Sequence, residues 1–481
     1  MTGTQRAAHR RVHEAIDRDE AACLERVREY LRIPGFSATG EGIERSARVT
    51  LEHLRRIGVA DARLVSTPRH PIVFGTLKSK RPDAKTLIVY GLYDLTPTIA
   101  EEWDVDPLGA EIVDAARVGL DASLGQVLVS RGAHNHRGPG LSVLMAVERM
   151  LQVEGDVPCH LVFVIEGEEE IGSPSLPAFI ESHRDELAGA AGAWLPCMYE
   201  AGGSMITHRG FKGTLWLELN CTGGSWGGSR TGRHLWAGHS AWMDAPLIQV
   251  VRALGSMIDE DNRLAVDGIY ELELDLNEED FEDARGLIEQ VRLDPEAEAG
   301  MLRTLDVAKL RGGRSLADHL EQFMFGVNAN IQGTYGGYDG PDYYTMLPGR
   351  AGAKLDVRFP KGTDHLELLG LVRAHLDRRG FEHVELVNTR GYRAARTPRT
   401  DPMLTSAAEA AAEYGVKNEV WPMYNGACPA THFQALGDLP FSFAGLGEGE
   451  RPHAPNEFIR LDAVKRLMHF TVSYLHAWAD A

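Results

Sequence analysis

The chain has 481 residues, 25% of them charged and 43% hydrophobic, and a formal net charge of -19 at pH 7. That length suits two or three domains with sizeable cores, and an acid excess with no basic run to offset it argues against nucleic acid or an anionic membrane as partner. Five cysteines (Cys23, Cys159, Cys197, Cys221 and Cys428) are scattered without any C-x-x-C pair, and the N-terminus has no signal-peptide core, so the expectation is a cytoplasmic protein.

Residues 5–31 have helical periodicity, with Val12, Ile16, Cys23, Leu24, Val27 and Leu31 on one side, until Pro34-Gly35 stops the pattern. A second helix over 41–57 leads to strands at 62–64 and 72–76, and then to the short apolar run 86–90, a buried strand bounded by Gly91. Helix 140–152 follows the loop Arg131-Gly132-Ala133-His134-Asn135-His136-Arg137-Gly138, and strand 160–165 follows the helix. This alternation predicts an α/β domain with a mostly parallel sheet. From about Gly210 the texture changes: 214–219 alternates like a half-exposed strand, 244–259 is helical, and a strand at 352–359 precedes a helix at 364–379. Two helices on an antiparallel sheet satisfy that pattern. Helices at 402–414 and 462–478 resume the α/β texture. The predicted organisation is an α/β domain of residues 1–208 and 391–481, interrupted by an inserted α+β domain over 209–390.

Glu166-Gly167-Glu168-Glu169-Glu170-Ile171-Gly172-Ser173 places four carboxylates in five positions at a strand end. Such crowding calls for a cation or for raised pKa values, unless the run is simply a solvated turn. The run resembles the E-G-x-E-E-x-G-S signature of the aminoacylase/carnosinase family of dizinc peptidases. Tyr90-Gly91-Leu92-Tyr93-Asp94-Leu95-Thr96-Pro97 is similar to that family's Y-G-H-Y-D-V-x-P segment, and Arg451-Pro452-His453-Ala454-Pro455-Asn456-Glu457 to its H-S-P-N-E. Asn330-Ile331-Gln332-Gly333 and Asp356-Val357-Arg358-Phe359-Pro360 resemble its substrate-contacting lid strands. The resemblance implies a zinc-exopeptidase-like α/β domain, an inserted lid and a homodimer formed through the lid. It also implies Glu169 as general base, Glu170 and His453 as metal ligands, and Arg358 and Asn330 as contacts for a substrate carboxylate.

The sequence departs from the family at the metal. Leu92 stands where the first histidine ligand belongs, Asn135 replaces the bridging aspartate, and Pro196 or Cys197 occupies the place of a further acid. A leucine coordinates nothing, and an amide is a poor bridge between two cations. Asp94, which in the family orients the missing histidine, needs another partner, such as an arginine or a substrate amine. His134 and His136 flank Asn135 and either replace lost ligands, act as acid/base groups, or are plain loop histidines. Arg137 offers a planar fork to a carboxylate or phosphate. Cys197 could bind zinc or act as a nucleophile, although a packed thiol is the simpler reading; Cys428, in a segment resembling the family's substrate loop, has the same two readings. His234 or His239 matches the lid histidine that stabilises the oxyanion.

Decay alone would erode the frame together with the ligands. The sequence therefore predicts an amide-bond hydrolase, of dipeptidase or N-acyl-amino-acid hydrolase type, acting on a small polar substrate with a carboxylate. It would use one divalent metal, zinc being the candidate, held by Glu170, His453 and Asn135, or no metal at all. The alternatives are a non-hydrolytic enzyme (acyl transfer, elimination or condensation), which the drier Leu92 site would favour, and a catalytically silent small-ligand-binding protein.

Overall fold

The computed structural model describes residues 3–260, 263–272, 275–360, 362 and 364–481, residues 3–8 as backbone only. The expected first helix is two, Gly3–Arg18 and Glu20–Leu31, because Asp19 leaves helical geometry between them. Both pack with the terminal helix Ala463–Asp480 and with Arg137–Glu154 on one face of a nine-stranded sheet.

The central strands of that sheet, His160–Glu166, Thr86–Leu92, Ala190–Pro196 and Phe441–Ala444, are parallel, and antiparallel strands extend it at both ends. Their side chains alternate between two buried cores: Leu87 and Val89 face the helices named above, whereas Ile88 and Tyr90 face the short helices behind. Parallel strands covered on both faces need such continuous apolar runs. The strands therefore all deliver their C-terminal ends, with Leu92, Glu166 and Pro196, to one edge.

The inserted unit is built on an antiparallel sheet in the order Asn328–Tyr335, Arg350–Phe359, Gly213–Thr222, Glu385–Tyr392. Helices Pro246–Met257 and His365–Arg378 bury Val250, Leu254, Leu368 and Val372 against the inward side chains Leu215, Leu217, Leu355 and Val357. Three further helices, Glu278–Leu293, Pro295–Thr304 and Leu316–Phe325, were not expected, although Asn277/Asp280 and Ser315/Asp318 form capping boxes that mark two of their starts. At the neck, Gly210–Phe211 pairs with Ala395–Arg396, and buried Asp280 accepts from Arg209 (2.5 Å) and from Arg396. A small antiparallel sheet carries the hairpin between Gly449–Glu450 and Phe458–Arg460, on which His453 lies. Among the described residues no helix is long and apolar enough to cross a membrane.

Candidate active site

The sheet edge and the inserted unit enclose a cleft with two adjoining compartments, of about 790 and 460 Å³, and Glu169, Asp356, Arg358 and His453 line both. The larger continues past Glu170, Trp216, Lys354 and Arg390, and the smaller past Asn135, His136, Asn330 and Cys428.

The four-glutamate run divides by function. Glu168 is buried and accepts from the Thr67 and Ser175 hydroxyls and from the His70 and Ser175 amides, so it builds the turn. Glu166 accepts from the Tyr90 hydroxyl at 2.5 Å and the Ser173 hydroxyl at 2.8 Å, and burial pushes its carboxyl up to about 8. Only Glu169 and Glu170 reach the cleft. Burial, then the neighbouring Glu170 and Asp94, hold the Glu169 carboxyl well above the usual range, with Arg358 opposing. The Glu169 carboxylate makes no hydrogen bond to another described residue.

Glu170, Asn135 and His453 converge. The Asn135 amide nitrogen lies 2.8 Å from Glu170 Oε1 and 2.7 Å from His453 Nε2, and His453 Nε2 lies 3.1 Å from Glu170 Oε2. Desolvation works against charge on His453, but Glu170 outweighs it and raises the imidazole's pKa. Tight backbone holds the histidine there: Arg451, His453 and Asn456 have φ of 62, 62 and 58°. Left-handed backbone at such residues costs of order 1–3 kcal/mol each and persists where its surroundings over-determine it. Here Asn456 exchanges hydrogen bonds with Asp104, and Arg451 donates to the Val118 and Thr304 carbonyls.

Asn135 is placed by a residue that the sequence reading passed over. Glu457, fully buried, accepts from the His134 and Asn135 amides through Oε1 and from Arg131 and the Gly132 amide through Oε2, at 2.8–3.1 Å. Its signal was present, as the last letter of the motif that contains His453.

Several expected site residues serve the frame instead. Asp94 is fully buried, its two oxygens taken by the amides of Glu169 and Glu170, so it meets neither an arginine fork nor the cleft. Burial and Glu170 lift its carboxyl to about 7. Arg137 is also fully buried: its guanidinium donates to the Tyr93 and Ile33 carbonyls and to Ser46, leaving no fork for substrate. A Cβ on Gly35 would fall on that guanidinium, which explains a glycine there. His134 turns inward to the Met198 carbonyl (3.1 Å). His136 bonds the Pro196 carbonyl and edges the smaller compartment, but burial holds its pKa down at about 3, so it is not an acid near neutral pH.

Neither His234 nor His239 lines the cleft. Pairing of Leu235–Trp236 with Met346–Leu347 fixes their segment on the inserted unit, where His234 accepts from the Gly349 amide and His239 sits between Trp236 and Trp242. Burial pushes the thiols of Cys197 and Cys428 up, which suits packed side chains rather than nucleophiles. Asn330 and Arg358 do reach the cleft, and Arg358 is already paired with Asp356 at 2.8 Å.

Two of the positions where further ligands were expected offer no free donor. Leu92 is buried and apolar, and the first carboxylate after Pro196, Glu200, is engaged by Arg466 at 2.6 Å. His453 Nε2 faces both a carboxylate oxygen and the Asn135 amide, and rotating that amide points three lone-pair atoms at one another, an arrangement that a cation stabilises.

Residues 104–477 match the peptidase family M20/M25/M40. The chain is 24% identical over 381 residues to the beta-Ala-His dipeptidase of Homo sapiens, covering 72% of this chain and 67% of that one. It is 24% identical over 392 residues to a Cys-Gly metallodipeptidase of Saccharomyces cerevisiae, covering 76% and 75%. Among solved structures, an M20 family metallo-carboxypeptidase from Sulfolobus solfataricus has a TM-score of 0.81 at 26% identity, over 95% of this chain and 99% of that one. Human carnosine dipeptidase 1 has a TM-score of 0.79 at 22% identity, over 98% and 99%, a likeness of fold.

Proposed function

The chain belongs to peptidase family M20/M25/M40, a family of hydrolases, and from that premise we propose that it cleaves the amide bond of a small, carboxylate-bearing dipeptide or N-acyl amino acid with the help of one divalent cation. The observation that carries this reading is the convergence of Glu170, His453 and Asn135 within 3.1 Å of one another, beside Glu169 and opposite Arg358 and Asn330. Zinc suits an imidazole, a carboxylate and an amide oxygen. When bound, the ion supplies Lewis-acid polarisation of the scissile carbonyl. Glu169, at the junction of the two compartments, takes the proton of the attacking water and hands it to the leaving amine. Arg358, held in plane by Asp356, and Asn330 orient the substrate carboxylate.

The reading includes a cytoplasmic homodimer, with residues 209–390 as lid and dimerisation unit. Exposed Ile248 and Val251 on the lid helix Pro246–Met257, with exposed Trp236 and Trp242 nearby in the chain, support an interface there. A second reading, non-hydrolytic chemistry at the same cleft, is favoured by buried Leu92, which contributes no polar group to hold water.

The test has two parts. Protein purified without chelator is assayed for bound metal as wild type and as His453→Ala. A loss of one equivalent supports the proposal; a loss of two, or of none, overturns the single-ion site. Wild type and Glu169→Gln are then assayed on dipeptides and N-acyl amino acids, where hydrolysis should fall by about 100-fold or more with the variant. A wild type inactive on the whole panel moves the balance to the second reading.

A further inference from the structure

Apart from the residues that line the cleft, three helices bring together a second set of metal-ligating groups. His9 lies on the first helix Gly3–Arg18, Glu154 closes the helix Arg137–Glu154, and His476 lies on the terminal helix Ala463–Asp480. One ligand atom from each lies within 4.8 Å of the other two, and among the described residues this is the one such group of three. His9 is 4% exposed and His476 6%.

The surroundings do not satisfy these groups. His476 Nε2 lies 3.1 Å from Glu154 Oε2, but His9 Nε2, His476 Nδ1 and Glu154 Oε1 are buried without a hydrogen-bond partner among the described residues. Unmet buried polar atoms each cost on the order of 1–3 kcal/mol, so three within one contact call for an explanation. Apolar packing is not one, since aliphatic side chains would fill the same helix junction without the cost. The imidazoles of His9 and His476 approach to 3.9 Å between centroids at 48°. That close tilted pair keeps a nitrogen of each ring within 4.8 Å of the other and of a Glu154 carboxylate oxygen.

We propose that His9, Glu154 and His476 form a structural site for a divalent transition-metal ion, zinc by the chemistry of its donors, that ties the first helix to the last. Two imidazole nitrogens and one carboxylate oxygen suit zinc and its neighbours rather than calcium or magnesium, which take oxygen ligands. Three protein ligands leave one position for water. Because the ligands come from residues 9, 154 and 476, the unfolded chain offers no comparable site, and binding stabilises the folded form by an amount that grows with the logarithm of the ion's concentration.

The experiment uses the full chain, stripped with a chelator and dialysed, and titrated with Zn²⁺ against a chromophoric competitor. Wild type, His453→Ala, His9→Gln and Glu154→Gln are compared, each checked for folding by circular dichroism. His9→Gln and Glu154→Gln should each lose one equivalent, with affinity at that site reduced by about 100-fold or more, since even a changed outer-shell partner costs 10–100-fold. His453→Ala should retain that equivalent, and His9→Gln should leave amide hydrolysis unchanged. Co²⁺ should give visible d–d absorption in His453→Ala that disappears in the double variant His453→Ala/His9→Gln. The proposal is overturned if wild type binds no Zn²⁺, or if both His9→Gln and Glu154→Gln bind as much as wild type with the same affinity, which would leave the trio a hydrogen-bonded Glu154–His476 pair beside a neutral His9. Should Glu154→Gln fail to fold, His9→Gln decides alone.

Discussion

Replacing Glu457 with Gln tests whether the loop that carries Asn135 is held by one buried carboxylate. In the wild type both oxygens are doubly used: Oε1 by the His134 and Asn135 amides, Oε2 by Arg131 and the Gly132 amide. Glutamine is nearly isosteric but turns one oxygen into a donor, which must then face two N–H groups. If the amide faces Arg131 and Gly132, a 3% exposed guanidinium loses its countercharge and a backbone N–H its acceptor. Breaking a buried pair costs roughly 3–5 kcal/mol and an unmet buried donor about 1–3. The two figures overlap rather than add, because the first already includes the partner left unpaired, and the guanidinium's position 5.1 Å over the Trp103 ring is common to both proteins and cancels. The opposite amide orientation leaves the His134 and Asn135 donors unmet and still removes the charge. Either way the variant should lose about 3–5 kcal/mol, read as a lower urea midpoint at unchanged slope. The folded fraction should also lose kcat, because Asn135 loses its anchor. A loss under about 1 kcal/mol would refute the assignment of Glu457 as the loop's anchor.

Asn135→Asp places a carboxylate 2.8 Å from Glu170; one of the two can take up a proton at pH 7 for about 4 kcal/mol, which caps the cost to the metal-free protein. The metal-free variant should therefore melt lower and bind Zn²⁺ tighter than wild type, and calorimetry showing neither change would count against a cation at this point. Arg137→Met strips three acceptors of their donor and should cost about 3 kcal/mol with KM unchanged; a raised KM at unchanged stability would restore Arg137 to the substrate site. His208 is buried among Tyr199, Tyr424 and Phe443 with neither ring nitrogen bonded, and burial lowers its pKa to about 3. Its folded pKa lies below its unfolded value near 6.5, so its stabilising share is present above pH 6.5 and is lost as pH falls toward 3. By pH 5 that loss reaches about 2 kcal/mol. His208→Phe should therefore flatten the decline in melting temperature between pH 7 and pH 5, and an unchanged decline would show that His208 does not drive it.

The fold was largely legible because its signals are local. Strand 86–90 reads as buried from five residues, and the alternation of 214–219 survives in the strand Gly213–Thr222, whose inward side chains are Leu215, Leu217 and Leu219. The site was legible only where a motif residue has room to do nothing else. Arg137 and Asp94 look like recognition groups in a one-dimensional reading, since a charged residue beside a catalytic loop suggests a ligand. What decides their roles is Ile33, Ser46 and Tyr93 in one case and two backbone amides in the other. The His9, Glu154 and His476 trio had no local signal at all, because its members are brought together only by helix packing.

This distribution of work changes what the retained frame implies. Persistence of Asp94, Glu166 and Glu457 beside altered ligands would look like retained chemistry if those residues had no other task. Each has one: every carboxylate in that set accepts hydrogen bonds that shape the strand-end turn or the Asn135 loop. A folded but silent protein would need them equally. Glu169 differs, because its carboxylate supports no turn and caps no amide. It is nonetheless kept at the junction of both compartments, where burial and the carboxylates of Glu170 and Asp94 make it costly to ionise. A half-buried acid that is destabilised by its neighbours and does no folding work is accounted for by what enters the cleft, so the case for catalysis rests on Glu169 and not on the motifs around it.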